Sequence, residues 1–190
     1  CGGNCRVNGA DGPACRAAAR HATIPRMSTK RRSYEAGHKR KYLVVIDDTD
    51  ECDRAVFWAA KRAGRTKSQI VMLRVIDTSE RNQQWLGVAD LMKAEAEEAA
   101  NKALDKYAAR IKKIARLTAD RVIREGQPAE EIVKLIDEDT DIGILVLAAG
   151  TAKEGPGPLV SSLAKTAGTF PIPVAIVPGH LSDEDIDASS

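Results

Sequence analysis

Five short apolar runs alternate with stretches of helical spacing, and this alternation constrains the fold more than any other feature of the chain. "YLVVID" (Tyr42–Asp47), "QIVMLRVID" (Gln69–Asp77), "DRVIREG" (Asp120–Gly126), "IGILVLAA" (Ile142–Ala149) and "PIPVAIVPG" (Pro171–Gly179) read as strands. The first, second and fourth are continuous apolar runs rich in β-branched residues, the pattern of strands buried on both faces. Between the first two lies "DTDECDRAVFWAAKRAG". Ala55, Val56, Ala59, Ala60 and Ala63 form its helical stripe, Thr49 or Asp50 is its expected cap, and Gly64 its expected stop. A long amphipathic helix follows, with an expected inner face of Met92, Ala96, Ala99, Ala103, Tyr107, Ile111 and Ile114. "QPAEEIVKLIDED" carries Pro128 in its first turn, with Glu130 and Glu131 at the positive end of its dipole. "PLVSSLAKTAG" is a short helix ending near Gly168.

A β-α-β-α-β-α-β-α-β order predicts an α/β fold: an open parallel sheet with right-handed crossovers and helices on both faces. The two prolines of the last strand place it at an edge. In such sheets ligands bind beyond the carboxyl ends of the strands, where the winding reverses. The strand ends there carry Asp47, Asp48, Asp77 and the glycine-bearing loop after Ala149.

Charge divides the chain. Residues 1–41 hold ten Lys/Arg against two Asp/Glu, a net +8, while residues 42–190 carry −6. The arm, 1–40, has no hydrophobic period and is expected to be a disordered basic extension, with Met27 as a candidate natural start. Cys1, Cys5, Cys15 and His21 lack the second tight pair of a zinc site, and the Arg-rich, acid-poor composition also fits an organellar transit peptide. "HLSDEDIDASS" at the other end is expected to be a mobile acidic tail over 181–190, leaving 41–180 as the domain. The body holds one cysteine, Cys52, which suits a reducing cytoplasm. No apolar run reaches the ~18 residues of a membrane span, and the basic cluster lacks the aromatic interleaving of a specific nucleic-acid surface. The three histidines, His21, His38 and His180, lie outside the central strands, and no nucleophile–base–acid set is visible.

"YLVVIDDTDECDRAVFWAA", "IVMLRVID", "REGQPAEEIVKLIDED" and "VSSLAKTAGTFPIPVAIVPG" together resemble the universal stress protein family over about 42–180. The resemblance implies a five-stranded parallel sheet of order 3-2-1-4-5, adenine nucleotide α-hydrolase-like, and a homodimer paired through the last strands. It implies a regulatory protein that binds ATP, with Mg2+ entering only with ATP, and at most weak ATPase activity. Other members of the family are dimeric interaction modules that bind no nucleotide. By position, Asp47 and Val75 would hold the adenine. The family's phosphate motif, G-x2-G-x9-G-[S/T], is degenerate here. With Gly150 first, its second position is Lys153; one residue earlier, the pair is Ala149 and Ala152. Its close falls near Ser161 and Ser162 at a shortened spacing. A helix start, Lys153 and the two hydroxyls favour an anion. Pro156 and Pro158 remove donors, and Glu154 repels it. Asp47, Asp48 and Asp50 could bridge a metal to phosphate, but read more simply as a turn and helix start.

Overall fold

The computed structural model describes residues 29–77, 89–151 and 155–190, with the side chains of Ala89 and Asp90 excepted. The elements run β1 (Lys41–Val45), α1 (Cys52–Thr66), β2 (Gln69–Ile76), α2 (Ala89–Ala115), β3 (Asp120–Glu125), α3 (Pro128–Glu138), β4 (Ile142–Ala149), α4 (Pro158–Thr166), a 3-10 turn (Ala167–Thr169), β5 (Val174–Pro178) and α5 (Asp183–Ser189). All five strands are parallel and lie in the order β3-β2-β1-β4-β5. This is the expected order, and it makes the gap between β1 and β4 the point where the winding reverses.

Alternation along the strands feeds two cores. Tyr42, Val44, Ile46, Ile70, Met72 and Val146 face α1 and α2, while Leu43, Val45, Val71, Leu73, Leu145 and Leu147 face α3 and α4. The α1 face is built from fully buried Ala55, Ala59, Ala60 and Ala63. Methyl-sized side chains let that helix lie close to both the sheet and α2. Gly64 continues the trend: a methyl group on it would stand 3.5 Å from Ala115 Cβ. Gly64 therefore does not stop the helix; α1 runs on to Thr66 and ends at Lys67, whose φ of 52° is left-handed.

Three other expectations change. Helix α1 starts after Glu51, not at a Thr49 or Asp50 cap, because the Thr49 hydroxyl bonds Asp47 Oδ1 at 2.6 Å. The inner face of α2 is Ala100, Leu104, Tyr107 and Ile111, whereas Met92 is exposed. Before Ala100 the helix borders a cavity beyond the strand ends, so Ala96 and Ala99 have no sheet beneath them. Residues 181–190 are not a loose tail. Ser182 caps α5 in a capping box with Asp185, and Ile186 is fully buried. Asp183 pairs with Arg54 at 2.6 Å, and Asp187 with Lys61 at 2.7 Å and Arg65 at 3.2 Å.

Most of the basic arm lies outside the described residues, but its end is packed. Arg31 donates to the carbonyls of Ile136 and Asp139 at the end of α3. His38 Nδ1 lies 2.7 Å from Asp141 Oδ1, and the Arg40 guanidinium stacks 5.2 Å from the Tyr42 ring centroid. Among the described residues, no helix is long and apolar enough to cross a membrane.

Candidate functional site

Where β1, β2 and β4 end, the chain opens a cavity of about 850 Å³. Its floor comes from the strand ends (Val45, Ile46, Val75, Leu147 and Ala148), and α2 contributes Ala96 and Ala99 to one wall. The opposite wall is the turn Gly155–Pro158 and the first turn of α4. An apolar floor of this size suits a flat ring system.

Asp47, Val75, Gly150 and Ser161 all border this cavity, so four of the six expected site residues come together. Asp47 sits two residues beyond β1, and its Oδ1 accepts from the Thr49 amide at 3.1 Å. Val75 is half-buried, on the face that packs toward α3 and α4. Ser162 points away from the cavity and is exposed. Lys153, and with it Glu154, lies outside the described residues.

The phosphate side of the cavity is poor in donors. The Gly150 amide donates to Pro156 O at 3.3 Å, closing the loop on itself. Pro158 occupies the first position of α4 and has no N–H, and the Ser161 amide donates to Gly157 O at 3.0 Å. Within that first turn, Leu159 and Val160 carry the amides that helix geometry leaves unpaired.

Sequence reasoning passed over two charged residues here, Arg74 and Glu51. Asp48 pairs with Arg74, whose guanidinium also donates to Ile46 O at 3.2 Å, pinning the β1–α1 loop across the end of β2. Glu51 lies in the wall beside the loop after β4. A methyl group on Gly150 would stand 3.5 Å from Glu51 Oε1, and one on Gly179 would collide with Glu51 Cγ at 2.2 Å. The glycine just after β5 thus makes room for the stem of Glu51. No local pattern marks this contact, although a glycine at the end of the last strand could have prompted the question of what lies over it. Among the described residues, no group of three or more His, Cys, Asp or Glu is arranged to hold a metal ion. The Asp47–Asp50 stretch serves the turn and the Arg74 pair.

Beside the cavity, Cys52 is buried, its thiol 3.8 Å from Val45 O, and burial pushes its pKa up to about 11. A thiol held protonated in this way is a packing group and not a nucleophile. Burial raises the Asp53 pKa, but hydrogen bonds from Arg110 and Arg54 outweigh it and hold the carboxyl below its usual range. Arg110 Nε lies 3.0 Å from Asp53 Oδ1, tying α2 to α1 behind the cavity.

The comparisons agree with the fold. Comparison with curated protein sequences gives no match. Among solved structures, the chain is similar to universal stress protein UspA from Lactobacillus plantarum, at 22% identity over 73% of this chain and 97% of that one, with a TM-score of 0.62. It is similar to hypothetical protein MJ0577, at 24% identity over 75% and 98% of the two chains, with a TM-score of 0.58. It is also similar to a universal stress protein solved in complex with cAMP, at 21% identity over 73% and 96%, with a TM-score of 0.53. These likenesses concern the fold. The model of the universal stress protein family matches residues 39–178, nearly all of the α/β body, and the chain belongs to that family.

Proposed function

We propose that this chain is a regulatory protein that binds an adenine nucleotide in the cavity at the strand ends and acts by binding, not by turnover. The observation that carries the reading is the convergence of Asp47 and Val75, from the ends of β1 and β2, on one apolar hollow of about 850 Å³. Such a hollow admits a purine, and a carboxylate at its margin can accept a hydrogen bond from an exocyclic amine. That a universal stress protein of similar fold forms a complex with cAMP supports an adenine nucleotide as the ligand.

The base end fits an adenine nucleotide better than the phosphate end fits a triphosphate. Two unpaired amides at the start of α4 and the Ser161 hydroxyl would meet the tail, and the family's glycine cradle is largely replaced. Mg2+ would enter only with ATP, and no hydrolytic step is assigned. Titration calorimetry of the full chain with adenine and guanine nucleosides and nucleotides tests the proposal. Saturable binding of adenine compounds, lost in Asp47→Ala, is the expected result; no binding of any adenine compound overturns it.

The second reading is a dimeric interaction module that binds no nucleotide, and the engagement of the Gly150 amide with Pro156 O favours it. Native mass spectrometry of the freshly purified protein separates the two, because only a nucleotide binder carries a co-purifying adenine compound. Under either reading we place the protein in the cytoplasm as a homodimer joined through β5. That edge strand leaves Ile176 48% exposed, an apolar side chain that a second copy would cover.

A further inference from the structure

Glu51 stands where the ligand's tail would run, and it stands there by construction. A side chain on Gly179 would occupy the place of the Glu51 stem, and the Gly179 amide is fixed to Ala149 O at 2.9 Å. The seat is therefore part of the β4–β5 framework and not of a free loop. From it the carboxylate reaches the start of the loop after β4, beside Gly150. Glu51 is also the residue from which α1 begins, so its charge offsets the positive end of that helix, which would otherwise favour an anion.

The rest of the described wall offers little compensation. Among the described residues, Asp47, Asp48 and Glu51 border the cavity near one cation, Arg74, which is committed to Asp48 and Ile46 O. No described cation lies within ion-pair distance of Glu51. The α4 start offers few amides, as Pro158 has none and the Ser161 amide bonds Gly157 O. Repulsion from a fixed carboxylate grows with each charge the ligand adds. Adenosine adds none, a monophosphate one or two, and a triphosphate about four at neutral pH, judged from phosphate pKa values near 6.

Resting on the nucleotide reading above, we infer that Glu51 sets the length of the ligand. The cavity takes an adenine nucleoside carrying at most one phosphate, and discriminates against the triphosphate.

The test is calorimetric titration of the full chain with adenosine, AMP and ATP, in EDTA so that no divalent cation masks ligand charge. The wild type should bind AMP at least about tenfold more tightly than ATP, which needs no variant to be informative. Glu51→Gln keeps the stem over Gly179 and removes the charge, and it should narrow the AMP-to-ATP ratio by about tenfold, chiefly by tightening ATP. ATP binding as tight as AMP in the wild type, or an unchanged ratio in Glu51→Gln, overturns the inference while leaving the nucleotide reading in place. Failure of all three ligands to bind the wild type removes both.

Discussion

Replacing Ile186 with alanine takes three carbons out of a fully buried site between α5 and the α1 side of the sheet. At about 0.8 kcal/mol per buried methylene, the transfer contribution is about 2.5 kcal/mol. The hole left behind adds to this where its walls cannot close, giving an expected loss of about 2–4 kcal/mol. A limit applies: α5 has only seven residues and cannot persist in water without its docking contact. Once the loss reaches the free energy that docks α5, the helix detaches and the cost stops growing. Ile186→Ala and a chain ending at His180 should therefore lose similar stability in urea denaturation followed by circular dichroism. The ion pairs of Asp187 with Lys61 and Arg65 are about half exposed and screened by salt. Asp187→Ala should lower the midpoint less than Ile186→Ala, and its effect should disappear in 1 M salt, taken as about a 3 Å screening length. A loss below about 1 kcal/mol for Ile186→Ala would refute the argument, since it would mean that polar pairs and not apolar burial hold α5 in place.

Two further predictions concern pH and assembly. The Asp53 pKa is lowered in the folded state, so its contribution is fully present above the unfolded value near 3.9 and is lost as pH falls through the folded value. The stability gap between wild type and Asp53→Asn, measured as urea midpoints, should be complete at about pH 6 and shrink below about pH 4; a gap independent of pH would rule out the Arg110 and Arg54 bonds as its source. If the proposed dimer forms through β5, Ile176→Asp should convert it to monomer in sedimentation velocity, because a carboxylate on that edge would be buried by pairing; a dimer that persists places the interface elsewhere.

Features that depend on local periodicity could be read from the chain. Continuous apolar runs marked β1, β2 and β4 as central, the prolines placed β5 at an edge, and the strand ends brought Asp47 and the loop at Gly150 to one hollow, to which the family resemblance added Val75. Features that depend on distant partners could not. "SDEDIDAS" has the composition of a solvated tail, and becomes a helix because Ile186 finds a pocket and Arg54, Lys61 and Arg65 on α1 meet its acids. The α2 stripe holds at Ala103, Tyr107, Ile111 and Ile114 but fails at Met92, Ala96 and Ala99, because the early turns border the cavity, where the sheet no longer rewards apolar side chains. Glu51 is one of several acids in "DDTDEC". Only the bare backbone of Gly179, supplied by the far end of the domain, gives it a defined place.

The last helix has a bearing on how the molecule can be handled. Arg65, at the end of α1, holds the carbonyls of Asp187 and Ser190, while Arg31 and His38 fasten the segment before β1 to the end of α3 and to Asp141. Both extremities of the described chain, Thr29 and Ser190, are thereby tethered at the pole where the strands begin. The hollow opens at the pole where they finish. A dye or a surface linker attached at Ser190 would sit at the pole opposite the mouth, so ligand entry could be followed on an immobilised protein without obstructing it.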